Sequence, residues 1–283
     1  MTRHRFCFAI VSCVALTCLL ARDCLASAFV RGAYYQLGDA DPGAAPGAVG
    51  NDLTLDSFAD SLHLTRSGSP HYSSNVPALG PVGNKLSMAF ANEGLGGPAF
   101  PGLYARTPAL PMVEQGLALE TWVMAGPTNL DSPDSIRNEM LAYNGNPADS
   151  GFGLFLHADN YVARVGPFEQ VLGPADVGTW HHLAYVFSLG TSSFYYDGRL
   201  VAESTKDPAP AAPTAGFSLG GQPSGDAMLY PFNGWLDEVR YQTFNPMSAG
   251  AFNPTAFLIV PEPATGLLIA AAAAAALLRR RRA

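Results

Sequence analysis

The sequence predicts an all-β protein in which two antiparallel sheets pack face to face as a sandwich or jelly roll. Three observations carry that expectation. Short runs with strand character recur along the chain, separated by clusters of Gly, Pro, Asn and Asp. No stretch of helical period and usable length occurs before the C-terminal tail. The strongest local signal is a hairpin: Phe194-Tyr195-Tyr196 and Arg199-Leu200-Val201 flank Asp197-Gly198, the pair that a two-residue type I′ turn favours. The 29 Gly and 23 Pro among 283 residues fit a turn-rich β chain better than a helical bundle.

In chain order, Arg3, His4 and Arg5 precede an uncharged run from Phe6 to Leu20 and then Ala26-Ser27-Ala28. That is the charged start, apolar core and small-residue cleavage site of a secretory signal peptide, with the cut after Ala28. Residues 1–28 are therefore read as an address. Cys7, Cys13, Cys18 and Cys24 all lie before the cut, so the mature chain is expected to hold together without disulfides and without cysteine-type metal or redox sites.

The working domain is read as residues 29–260, with no composition break to mark a second unit. Tyr34–Gly38 and Asn51–Leu55 suit opening strands. Further strands are predicted over Leu86–Ala91, Leu117–Ala125, Phe152–His157, Tyr161–Val165, Trp180–Phe187, Ser193–Tyr196, Arg199–Ala202, Phe217–Leu219 and Gly234–Phe244. The stretches Gly126–Glu139 and Thr205–Gly216 read as long projecting loops. This domain carries nine Lys or Arg against 21 Asp or Glu, a net of −12, against −7 for the whole chain. Such a charge excludes nucleic acid as a partner, because phosphate binding needs clustered cations.

Four blocks then carry a family resemblance. Leu117-Ala118-Leu119-Glu120-Thr121-Trp122-Val123, Gly178-Thr179-Trp180-His181-His182-Leu183-Ala184, Phe194-Tyr195-Tyr196-Asp197-Gly198-Arg199-Leu200-Val201 and Phe232-Asn233-Gly234-Trp235-Leu236-Asp237-Glu238-Val239-Arg240-Tyr241 occur in this order. They resemble the strand signatures of laminin-G-like, concanavalin A-type domains. The resemblance implies a two-sheet antiparallel jelly roll and, by itself, no particular ligand, since that fold hosts lectins, hydrolases and adhesive spacers.

A glycosidase on such a fold needs two carboxylates about 5–5.5 Å apart for retention. Laminarinase-type relatives place theirs on one strand as Glu-x-Asp-x-x-Glu. Glu120 has Ala118 and Trp122 two residues away, and Asp237 and Glu238 point to opposite faces if their strand is regular. A non-catalytic module is therefore expected.

Trp122, Trp180 and Trp235 suit sugar stacking, yet each most simply fills the core between the sheets. His181 and His182 are neighbours on one strand, face opposite ways and cannot chelate one metal together. Asp237 and Arg240 are expected to tie the last strand to its neighbours. Tyr34, Tyr35, Tyr72, Tyr104, Tyr143, Tyr161 and Tyr230 outnumber what one core needs, so some are candidates for a glycan groove. Trp122, Trp235, Tyr143 and Tyr161 are the named candidates for ligand contact. No cofactor is implied. Calcium is the one open metal question, with Asp131 and Asp134, beside Asn129 and Asn138, as candidate ligands and Asp39 with Asp41 as a second pair.

The last element is an address again. Val260-Pro261-Glu262-Pro263 precedes the apolar run Ala264–Leu278, a short predicted helix, and Arg279, Arg280, Arg281 and Arg282 follow as charges that stay cytoplasmic. An ordinary membrane anchor has the same apolar run and basic end. Pro-Glu-Pro, helix and Arg cluster in this order resemble the PEP-CTERM sorting signal of Gram-negative bacteria, over residues 261–283. That resemblance implies processing by an exosortase, after signal peptidase has acted at Ala28. It also implies transient anchoring in the inner membrane by the C-terminal helix, and delivery to the cell surface or extracellular matrix. The function expected is a binding module for extracellular polysaccharide or surface proteins. A structural or protein-adhesion matrix component and a divergent glycoside hydrolase are the alternatives.

Overall fold

The computed structural model describes residues 29–58, 61–81, 83–90, 102–112, 116–127, 137–205, 209–224 and 227–246. These residues form strands and no helix. In chain order the first nine are β1 (Phe29–Tyr35), β2 (Leu53–Thr54), β3 (Leu64–Ser67), β4 (His71–Ser73), β5 (Ser87–Ala89), β6 (Leu103–Arg106), β7 (Gly116–Ala125), β8 (Asn138–Asn144) and β9 (Phe152–His157). Then follow β10 (Asn160–Val165), β11 (Phe168–Pro174), β12 (Trp180–Ser188), β13 (Thr191–Tyr196), β14 (Arg199–Ser204), β15 (Phe217–Leu219), β16 (Gln222–Ser224), β17 (Ala227–Leu229) and β18 (Gly234–Phe244).

Two eight-stranded antiparallel sheets result, as expected for the jelly roll. The first runs β14-β13-β12-β7-β18-β5-β4, with β1 also paired to β18. The second runs β11-β10-β9-β8-β15-β6-β3-β2, and β16 with β17 form a small separate hairpin. Strands β9, β15 and β18 span the residues the sequence predicts, whereas β3, β4, β6, β8 and β11 arise where it predicts none. Strand β8 carries only a four-residue apolar run, Met140–Tyr143, between Asn138-Glu139 and Asn144, too short for a period to show although six of its seven residues are buried. The predicted C-terminal helix, Ala28, Pro261, Glu262, Pro263 and Arg279–Arg282 lie outside the described residues.

The core between the sheets is built by alternation. Leu117, Leu119, Val123 and Ala125 of β7 and Leu183, Tyr185 and Phe187 of β12 point inward to meet Phe152, Leu154 and Leu156 of β9. Stacked and tilted rings join Phe152 to Tyr185 and Tyr241, at centroid separations of 5.8 and 6.0 Å. Burying each such ring contributes about 1.5–3 kcal/mol.

Most of the tyrosine surplus belongs here, and Tyr143 packs in a separate cluster with Met140, Phe155 and Val162. Tyr35, Tyr72, Tyr104, Tyr143 and Tyr161 are fully buried. Their hydroxyls pin loops to the core: Tyr35 donates to the Leu62 carbonyl at 2.6 Å, Tyr104 to Asn51 at 2.7 Å and Tyr143 to Ser150 at 3.1 Å. The Tyr161 hydroxyl accepts the Ala125 amide at 3.0 Å. A phenol fills apolar volume and still reaches a backbone partner at the core's edge. Tyr143 and Tyr161, expected as ligand contacts, are therefore corrected to structural pins, with no ring face open to a sugar.

The predicted hairpin is present. Asp197 and Gly198 have φ of 48° and 75°, the double positive that the type I′ turn requires. Asp197 also binds both histidines of β12, accepting the His182 amide on Oδ1 and facing His181 Nδ1 through Oδ2, each at 2.9 Å.

Candidate functional site

The inward set of β7 fixes its outward set. Because Leu117, Leu119, Val123 and Ala125 face the core, Glu120, Trp122 and Met124 face the opposite side of the first sheet. Register then assembles the rest. Trp180 and His182 of β12 lie opposite Met124 and Trp122. Trp235, Asp237 and Arg240 of β18 lie opposite Met124, Trp122 and Glu120. Tyr34 of β1 lies opposite Arg240. Trp180, Met124, Trp235 and Ala89 form one apolar row. The expectation that the tryptophans fill the space between the sheets is thus overturned: all three sit on the outer face. The signal was present in the sequence, since Glu120 shares its strand phase with Trp122 and not with Leu119 or Val123.

A polar network lies next to that row. The Glu120 carboxylate accepts from Arg240 on Oε1 and meets His182 Nε2 at 2.9 Å on Oε2. The His182 ring stands edge-on to Trp122 at 5.3 Å. Across the sheet His181 faces the other way, stacked on Tyr196 at 4.8 Å, so the two histidines part as expected. Arg240 ties β18 to β7 and Asp237 reaches Asn84, so both do the structural work the sequence suggested.

The strand carrying Asp237 and Glu238 is not regular. Asp237 opposes Trp122 and Arg240 opposes Glu120, so Glu238 and Val239 together face only Thr121. This is a β-bulge, and Glu238 takes a φ of 52°. It falls where β18 changes neighbour, from β5 at residues 235–236 to β1 from Val239 onward. Thr121 Oγ1 donates to the Asp237 carbonyl at 3.0 Å inside the bulge. Val239 turns into the core, while Glu238 accepts from the Tyr34 hydroxyl on the outer side. Asp237 and Glu238 therefore share one face, contrary to the expectation for a regular strand.

Both acids are almost completely buried. Burial, reinforced by neighbouring Glu238, holds the Asp237 carboxyl well above the usual aspartate range. Burial likewise raises Glu238 to about 7, opposed by the Tyr34 hydrogen bond and Arg240 and assisted by Asp39 and Glu120. Asn84 Nδ2 donates to Asp237 Oδ2 at 2.7 Å, and Asn75 Oδ1 accepts from Trp180 Nε1 at 3.1 Å. Both asparagines belong to the connection between β4 and β5, which reaches over this face. The indole N–H groups of Trp122 and Trp235, His182 Nδ1, Asp237 Oδ1, Glu238 Oε1 and Asn84 Oδ1 are buried without hydrogen-bond partners. Such atoms are rare in a folded protein, and six of them gather at this face while others lie elsewhere, at Arg66, Asn138 and His181.

Among the described residues no three His, Cys, Asp or Glu are grouped to hold a metal ion. Asp131 and Asp134 lie outside the described residues. Asp41 is occupied by Thr54, the Leu55 amide and Tyr72, and Asp39 by the Lys85 amide. Tyr34, Asn75, Asn84, Arg240 and Glu120 are the site residues that strand-by-strand reading missed as contributors to one surface, because their meeting depends on register across β1, β5, β7 and β18.

An antiparallel two-sheet jelly roll with an aromatic and polar outer face is a lectin-type architecture. The chain belongs to the concanavalin A-like lectin/glucanases superfamily, whose family model matches residues 101–244. The PEP-CTERM protein-sorting motif matches residues 260–282, marking an exported, surface-directed protein of Gram-negative type. No curated protein matches the chain. Among solved structures, domain 4 of AbnA, a GH43 extracellular arabinanase of Geobacillus stearothermophilus in complex with arabinotriose, is similar with a TM-score of 0.50 and 15% identity, covering 81% of this chain and 97% of that one. The CBM40 of the Ruminococcus gnavus IT-sialidase, bound to α2,3 sialyllactose, has a TM-score of 0.35 and 17% identity over 51% of this chain and 81% of its own. A botulinum neurotoxin type C structure, described as dependent on two ganglioside molecules for cell entry, has a TM-score of 0.45 and 9% identity, over 82% of this chain and 50% of that one. At 15% identity the likeness to the arabinanase domain shows the fold alone.

Proposed function

We propose that this chain is a non-catalytic module that holds carbohydrate or an extracellular matrix polymer at the bacterial surface, through the outer face of its first sheet. One observation carries the reading. Trp122, Trp180 and Trp235 share that face with buried indole N–H and carboxylate oxygen atoms that have no partner within the protein. Sugar recognition uses those groups together: a ring for the apolar face of a pyranose, and donors and acceptors for its hydroxyls. The likeness to an arabinanase domain captured with arabinotriose supports it, as does the sorting motif.

In this reading residues 1–28 are removed by signal peptidase, and the 264–278 helix with Arg279–Arg282 holds the chain in the inner membrane until exosortase acts at Pro261-Glu262-Pro263. The test is retention of the full chain on immobilised polysaccharides, with calcium and with chelator. Retention that falls at least tenfold on Trp180→Ala supports the face, because Trp180 is the tryptophan with an accessible edge. Absence of binding to every glycan, together with self-association, selects the structural matrix role instead.

Glycoside hydrolysis is the second reading, favoured by one geometric fact: the bulge brings Glu238 onto the face that holds Glu120. Release of reducing ends from β-glucans, abolished by Glu120→Gln, establishes it. Their absence removes it.

A further inference from the structure

Four carboxylates bear on one another at the bulge: Glu120, Asp237, Glu238 and the more exposed Asp39. The neighbouring groups of other kinds are Arg240, His182 and the Tyr34 hydroxyl. Arg240 and His182 both engage Glu120. Glu238 receives one neutral donor, the Tyr34 hydroxyl, and Asp237 receives the Asn84 side chain and the Glu238 backbone amide. Each keeps a buried oxygen without a partner, and so does the Asn84 amide. Asp237 is 0% and Glu238 1% exposed, so water does not freely supply what is missing.

Besides the indole N–H groups of Trp122 and Trp235 and the His182 ring nitrogen, the unused atoms at the bulge are these three oxygens, and two of them belong to carboxyl groups. A ligand group that matches them brings donors and positive charge. A neutral hydroxyl brings one donor and no charge. A divalent cation requires six or more oxygens, and no metal-holding group occurs among the described residues. A primary ammonium is compact, carries one positive charge and presents three N–H donors. Anionic polymers are opposed by the same carboxylates and by the domain's net charge of −12.

Resting on the carbohydrate reading above, we propose that the polymer held on this face is an amino-sugar polymer with free amines, its ammonium seated on Asp237, Glu238 and Asn84. Trp180, the tryptophan with an accessible edge, then offers its ring to the sugar, while Trp122 and Trp235 stay buried on the same face. Entry requires the Asn84 and Asn75 contacts of the β4–β5 connection to yield. Seating an ammonium favours the ionised carboxyl groups, so the protons they hold leave to solvent on binding.

The experiment measures binding of the full chain to the glucosamine hexamer, the N-acetylglucosamine hexamer and a neutral β-glucan hexamer, by calorimetry at pH 6 in two buffers of different ionisation heat. The expected result is at least tenfold tighter binding of the glucosamine hexamer, with net proton release. Asp237→Asn brings the ratio between the two hexosamine ligands to about one, its fold being checked by thermal unfolding. Should that variant not fold, proton release by the unaltered protein decides. Equal binding of the free-amine and acetylated hexamers overturns the inference and leaves the carbohydrate reading standing. Binding to no glycan overturns both. Competition by a lysine hexapeptide as strong as by the glucosamine hexamer overturns it in favour of a protein partner.

Discussion

The inner core and the outer face of the first sheet both bury large polar-tipped aromatics, and they treat the polar tips in opposite ways. Inside, the hydroxyls of Tyr35, Tyr104 and Tyr241 each donate to a backbone carbonyl. Outside, the indole N–H groups of Trp122 and Trp235 donate to nothing, beside two carboxyl groups with idle oxygens. The first arrangement is what stability selects, since an unsatisfied buried donor costs about 1–3 kcal/mol. The second gathers six such atoms around one face, although Arg66, Asn138 and His181 carry others elsewhere, and that concentration is the pattern of a recognition site on a rigid scaffold.

The comparison can be broken or sharpened by substitution. The largest effect is expected for Arg240→Ala, which leaves the buried Glu120 without its guanidinium. A loss of about 3–5 kcal/mol in urea unfolding is expected, and a loss below about 1 kcal/mol would remove the charge network from the account.

Next comes pH. The folded chain holds a proton on Glu238 up to about pH 7, whereas the unfolded chain loses it near the ordinary value of 4.5. Between those values the folded state binds the extra proton, so stability falls as pH rises through the window and levels off above it. The fall is at most about 3 kcal/mol. Glu238→Gln is expected to flatten this part of the profile, and an unchanged slope would assign the titration to another group.

Smaller, and on the inner side, Tyr35→Phe and Tyr241→Phe each strip a donor from a loop carbonyl. About 1–2 kcal/mol is expected from chemical denaturation, with no change in glycan retention. The smallest effect is set by Leu200→Ser on the exposed edge strand β14, expected within about 0.5 kcal/mol of the original. If the tyrosine variants lost retention, the division between structural interior and recognition face would fail.

Much of this division was legible in the sequence. Phe194–Val201 announced its hairpin because Asp-Gly is the chemistry that a type I′ turn demands. Leu117–Ala125 announced its strand by alternation, and its phase placed Glu120 and Trp122 together. Two things were not legible. Strand β8 has only a four-residue apolar run, Met140–Tyr143, too short to show a period. The bulge at Glu238 follows from a change of neighbouring strand far away in the chain, so no local pattern around Asp237-Glu238 records it. The shared face of those two acids is a property of register, and register is settled by β1 and β5 as much as by β18 itself.

Strand β18 has a further consequence, one of timing. It is bonded to β7, β5 and β1, so three separate parts of the first sheet meet only through the last strand of the domain. A chain still passing through an export channel lacks that keystone until Gly234–Phe244 has emerged, and the sorting motif begins just beyond it, at residue 260. Completion of the sheet and arrival of the sorting signal are thereby nearly simultaneous. A chain cut short before Gly234 lacks both the strand that joins those parts and the sorting motif.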